Sequence, residues 1–107
     1  MILNKQFDVY PTHTYKKELS NIIHYLKHEL KELLIAKEFY DLVIKRTLTL
    51  SFMPERHSRI YSFNNISRNL RKIYIGNYIV IYEVNNDLKK VFLLHIFHNS
   101  QNYFNKL

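Results

Sequence analysis

The 107-residue chain has no cysteine, one glycine and two prolines. Without thiols there is no disulfide framework and no thiolate zinc site, a usage that suits a reducing cytosol. The scarcity of Gly and Pro leaves little room for long linkers. Gly76 stands alone, so no phosphate-cradling glycine loop exists. No apolar run approaches the roughly 20 residues of a membrane-spanning helix. The opening MILNKQFDVY has no basic stretch ahead of a long apolar one, so no signal peptide is expected. Internal repeats, low-complexity tracts, Ser-His-Asp sets and paired carboxylates are all missing. The expectation is a soluble cytoplasmic protein with no membrane partner, metal or cofactor.

What is present points to one folded domain over residues 1–107. The hydrophobic fraction of 47% and aromatic fraction of 15% argue against disorder. Net charge is +7, with a pI of about 9.6. Residues 1–54 hold eight Lys/Arg against six Asp/Glu, whereas residues 55–107 hold eight against three. The excess therefore lies in the second half, where it favours a polyanionic partner or serves only as a solubilising surface.

Along the chain, residues 3–10 alternate weakly and predict a first strand, which Pro11 ends because it offers no N–H to a ladder. Thr12 or Thr14 is a candidate N-cap. From Tyr15 the period becomes helical, with Tyr15, Leu19, Ile22, Ile23, Leu26 and Leu30 on one stripe. A break near Leu30–Leu33 precedes a second stripe of Ala36, Phe39, Tyr40, Val43, Thr47 and Leu50, closed by Pro54. Ile35, Leu42 and Leu48 fall outside it, so that helix is either buried on two sides or partly awaits a partner. A short strand is expected at Arg59–Phe63 and a turn at Asn64-Asn65. Three strands follow, roughly Arg68–Ile75, Tyr78–Val84 and Lys90–Phe97, joined at Gly76-Asn77 and Asn85-Asn86, residue types that tolerate positive φ. Strands apolar at both parities are covered on both faces. The helical hairpin covers one, and the aromatic, part-polar face opposite is a candidate binding face. The predicted class is α+β: an N-terminal strand and helical hairpin packed on a small, mainly antiparallel C-terminal sheet.

Several side chains carry candidate chemistry. His24 and His28 have helical i, i+4 spacing, but no third ligand accompanies them, which favours a solvated face. His95 and His98 bracket the end of the last strand with opposite parity, hence different faces. An imidazole there can serve as acid or base, or be an ordinary strand-end residue. Arg56, Arg59, Arg68, Arg71 and Lys72 flank the start of the sheet, suited to phosphate or to a solvated edge that resists pairing. Tyr61, Tyr74, Tyr78, Tyr82 and Tyr103 interleave with them, compatible with base stacking or with core.

Asp8-Val9-Tyr10-Pro11-Thr12 entering a helix, Ala36 in the next, the run Leu70–Val84 (LRKIYIGNYIVIYEV) and the finish His95–Tyr103 (HIFHNSQNY) together resemble the RelE/ParE superfamily of bacterial toxins. The resemblance spans nearly the whole chain. It implies the toxin of a type II toxin–antitoxin pair, silenced by a cognate antitoxin in a hetero-oligomer. RelE-like members cleave messenger RNA on the ribosome without metal; ParE-like members block DNA gyrase. In the first chemistry a base takes the ribose 2′-OH proton, cations stabilise the phosphorane and an acid protonates the leaving oxygen. The resemblance then implies His98 and Arg71 as principal catalytic residues, supported by His95 and Tyr103. Lys72, Arg68, Arg56, Arg59 and His57 would hold RNA phosphate. The expectation is a ribosome-dependent mRNA endonuclease, with gyrase inhibition as the alternative. The chain departs from RelE at Ile79, where RelE has arginine, and in the tail Asn99–Asn102, which lacks basic residues.

Overall fold

The computed structural model describes residues 5–61 and 67–100. Strand β1 (Asp8–Pro11) leads into helix α1 (His13–His24), which runs on through a π-helical turn, Tyr25–Glu29. Helix α2 (Leu33–Leu48) follows, then 3₁₀ turns at Thr49–Ser51 and Pro54–Arg56, then β2 (Leu70–Ile75), β3 (Tyr78–Asn85) and β4 (Lys90–His98). The sheet order is β1-β4-β3-β2; β1 runs parallel to β4, and the β3 pairings with β2 and β4 are antiparallel. This is the α+β architecture expected from the sequence.

Local chemistry sets the joints. The Thr12 hydroxyl accepts from the Tyr15 N–H at 3.3 Å and donates to the Leu93 carbonyl at 2.7 Å, so one N-cap starts α1 and fastens it to β4. The predicted break arises where the Leu30 N–H reaches back five residues to the Tyr25 carbonyl and Lys31 turns left-handed at φ 56°. Gly76, at φ 60°, occupies the first central position of the two-residue turn between β2 and β3, where a side chain is strained. In the next turn the positive φ falls on Lys89, at 54°, rather than on Asn85 or Asn86; Asn85 instead accepts the Leu88 N–H at 2.9 Å. Pro54 does not close α2. The helix ends at Leu48, and Pro54 opens its own 3₁₀ turn, as a residue with fixed φ and no N–H readily does.

Both faces of the sheet are covered. On the helix side Tyr15, Leu19 and Val43 pack with Ile73, Ile75, Val80, Tyr82, Val91, Leu93 and Ile96. On the other, Ile60, Leu70, Ile79, Ile81 and Phe97 form a second cluster. Full burial of such side chains stabilises the fold by about 1.5–3 kcal/mol each. Of the strand expected at Arg59–Phe63, the described residues form a bridge from Arg59 to Arg71; Ser62, Phe63 and the Asn64-Asn65 turn lie outside the described residues. The apolar residues outside the α2 stripe are exposed: Ile35 at 49%, Leu42 at 42% and Leu48 at 59%, so that helix is not buried on two sides.

Candidate functional site

The predicted site residues separate into four groups. The first surrounds the loop after α2. Arg56 turns back to cap that helix end, donating from Nη1 to the carbonyls of Thr49 (3.2 Å), Phe52 and Met53 (3.1 Å), and from Nη2 to the Thr49 hydroxyl at 3.0 Å. Arg71 on β2 donates from Nη1 to the carbonyls of Glu55 at 2.8 Å and His57 at 2.7 Å, and from Nε to Asn69 Oδ1 at 3.0 Å. Its Nη2 lies 3.4 Å from the Glu55 carboxylate. Hydrogen bonds from Asn69 and Asn86, with the charge of Arg71 adding, hold the Glu55 carboxyl below its ordinary pKa. His57 packs edge-on to Tyr82; partial burial, followed by the fields of Arg56, Arg46 and Arg71, lowers its pKa and favours the neutral ring. The Tyr82 hydroxyl donates to the Pro54 carbonyl at 2.6 Å, a buried bond, and burial raises its pKa.

The second group holds the sheet edge. Arg68 makes a two-pronged pair with Glu83, both contacts 2.9 Å, which raises the arginine pKa. Arg59 donates to the Arg68 carbonyl at 3.2 Å and lies over the Tyr61 ring, 4.9 Å from its centroid. Lys72 lies over Tyr74 at 5.6 Å.

The third group is His95 with Glu18 of α1. Glu18 Oε1 lies 3.0 Å from His95 Nδ1 and accepts the Ile96 N–H at 3.2 Å. A bulge puts His95 opposite Ile81 and Leu93 opposite Tyr82, so Leu94 is the extra residue. The irregularity precedes His95, and the register from Ile81↔His95 to Tyr78↔His98 is unbroken, so the two histidines keep the opposite parity expected of them. His95 opposes Ile81 of the second cluster yet reaches Glu18 of the first helix, whereas His98 meets Tyr78, which packs on Phe39 of α2.

His98 defines the fourth group. Its ring stands edge-on to Tyr78 at 5.4 Å, and its Nδ1 accepts the Ser100 N–H at 3.2 Å, with the Ser100 hydroxyl at 2.8 Å. That backbone bond needs a lone pair on Nδ1, which assigns the proton of the neutral ring to Nε2. An open groove of about 430 Å³ beside it is lined by Glu18, Asn21, Ile22, Tyr25 and Tyr78. Tyr103 lies outside the described residues.

Register separates the two principal candidates. Arg71 is opposite Tyr82 and His98 opposite Tyr78, four residues apart along β3. That is about 14 Å at strand rise. The structure does not bring Arg71 and His98 onto one phosphate. Sequence reasoning missed Glu55 and Glu18, the acids that organise the first and third groups. Charge balance held a partial signal, since only three acids stand in residues 55–107. Among the described residues no group of three or more His, Asp or Glu could hold a metal; the His24 and His28 rings lie 4.4 Å apart on an exposed surface.

Residues 9–103 match the family described as the ParE toxin of the type II toxin–antitoxin system parDE, and the chain belongs to that family, within the RelE/ParE superfamily of toxins. No curated protein matches it in sequence. Among solved structures it is similar to the chromosomal ParDE toxin–antitoxin system of P. aeruginosa, with TM-score 0.68 and 14% identity over 89% of this chain and 98% of that one. It is also similar to the archaeal RelE–RelB complex of Pyrococcus horikoshii, with TM-score 0.65 and 17% identity over 91% and 99%. The RelBE2 toxin–antitoxin complex of Mycobacterium tuberculosis gives TM-score 0.61 and 17% identity over 87% and 98%.

Proposed function

We propose that this toxin stops growth by binding and blocking DNA gyrase, and that a cognate antitoxin neutralises it. The observation that carries the reading is the placement of the cations. Cleaving RNA needs cations free to meet a phosphorane beside the acid and base. Arg56 and Arg71 spend their donors on the loop after α2, Arg68 is paired with Glu83, and Arg71 stands four strand positions from His98. A binding mode asks for none of that assembly. The toxin–antitoxin complexes among the structural neighbours support the antitoxin as partner.

The test is induction in a bacterial host, with primer extension on messenger RNA and a supercoiling assay using purified gyrase. Intact transcripts, inhibited supercoiling and full arrest by His98→Ala are expected. Discrete transcript cuts that vanish in His98→Ala would overturn the reading. One observation favours that second reading, ribosome-dependent mRNA cleavage: the His98 imidazole stands at an open groove beside Tyr78 and Tyr25.

A further inference from the structure

We propose that the loop at Met53 is the toxin's contact with its protein target, inserting the Met53 side chain into an apolar pocket with an acidic rim; this rests on the toxin reading above. Met53 is left-handed, φ 46° and ψ 57°, a conformation that residues with side chains rarely adopt. Its side chain is nevertheless 54% exposed, while its neighbours Leu50 and Pro54 fill the core.

The surrounding structure over-determines this backbone. Gln6 accepts the Met53 N–H at 3.3 Å, Arg56 binds its carbonyl at 3.1 Å, and Tyr82 and Arg71 hold the carbonyls of Pro54, Glu55 and His57. Strain maintained by several independent ties concentrates at functional positions. A loop ordered in advance also loses less entropy on association. Asn86 donates to the Glu55 carboxylate at 3.2 Å, fastening the turn that carries Leu88 to the same loop. Leu88 is 58% exposed and Leu48, at the end of α2, 59%. Three exposed apolar side chains on pinned backbone suit a protein surface better than a nucleic acid. The unbranched thioether of Met adapts to an irregular pocket. Arg56, bound to the loop's own carbonyls, and Arg46, whose field reaches His57, bring positive charge to the loop, which selects an acidic rim on the partner.

The experiment compares wild type, Met53→Gly, Met53→Ala and Met53→Leu for growth arrest in a bacterial host, with the Tm of each purified protein. Glycine relieves the left-handed strain, so Met53→Gly should keep or raise Tm yet weaken arrest roughly 30-fold, the scale of an interface hot spot. Met53→Ala should weaken it similarly, and Met53→Leu should retain it. If Met53→Gly and Met53→Ala arrest like wild type, the inference alone fails. Arrest lost only together with a Tm fall above about 5 °C also counts against it. If wild type itself fails to arrest growth, the toxin reading falls, and the inference with it. If Met53→Gly weakens binding of the purified chain to a single-stranded RNA oligonucleotide, the contact is with nucleic acid and the inference is overturned.

Discussion

Replacing Arg71 with alanine separates a structural arginine from a phosphate ligand by its thermodynamic effect. In the fold this side chain is only 13% exposed and donates to two carbonyls, one side-chain amide and the edge of one carboxylate. A hydrogen bond involving a charged group contributes about 1.5–3 kcal/mol net, less where water can replace it. The His57 carbonyl is partly buried and water replaces the donor poorly; the Glu55 carbonyl and carboxylate are exposed and recover more. Adding the loss of packing along the arginine stem, Arg71→Ala should cost about 3–4 kcal/mol, a large share of a typical total of about 5–15 kcal/mol. At about 4–8 °C per kcal/mol for a chain of this size, Tm should fall by roughly 12–32 °C. Urea and thermal unfolding of the purified protein measure both quantities. Arg71→Lys should recover little, because an ammonium cannot reproduce the planar fork. A loss below about 1 kcal/mol, accompanied by loss of RNA cleavage, would refute this reasoning and restore Arg71 to the phosphate.

Acid should weaken the loop after α2 in two stages. His57 has its pKa lowered from 6.5 chiefly by burial, so its contribution is complete above 6.5 and is lost as pH falls through the lowered folded value. Glu55 is lowered from 4.5 chiefly by its hydrogen bonds to Asn69 and Asn86, so its contribution is present above 4.5 and disappears as pH falls through its own folded value. Urea midpoints followed from neutral pH into the acid range should show both limbs, with His57→Gln flattening the first and Glu55→Gln the second. Gly76→Ala should cost about 1 kcal/mol from backbone strain alone, since nothing lies within 4 Å of the added Cβ; a markedly larger fall in Tm would mean that the turn has a steric role as well.

Periodicity and turn residues made most of the fold legible: both helices, the three final strands and the Thr12 cap stand where their patterns put them, although Leu30 and Tyr40 of the two stripes are exposed. What pattern could not reveal was long-range. The pairing of β1 with β4 joins residues about eighty positions apart, and local alternation contains no statement of sheet order. The bulge at Ile81/Tyr82 is one residue out of step, enough to bring Ile96 onto the same face as Val91 and Leu93. The candidate site was harder to read for a different reason. Arginine has the same appearance in a sequence whether its donors face solvent or close a loop, and Arg56, Arg68 and Arg71 proved to be internal ties. The partner that decides the matter, a carbonyl or a single glutamate, has no signature of its own.

The distinction between donors and charge also explains how the same residues keep influence beyond the fold. A guanidinium that has given its N–H groups to backbone carbonyls keeps its full positive charge; only a carboxylate neutralises it. In residues 55–107 three acids face eight cations, and two of those acids, Glu55 and Glu83, are the ones bound to Arg71 and Arg68. The remaining excess still projects a positive field, attenuated over about 8 Å at physiological salt. That field governs which partners approach and how fast, whereas specificity must come from groups with free contact area. Approach by charge and recognition by shape are thus assigned to different residues. The tied arginines supply the first, and by rigidifying the loop between α2 and β2 they also set the geometry on which the second depends.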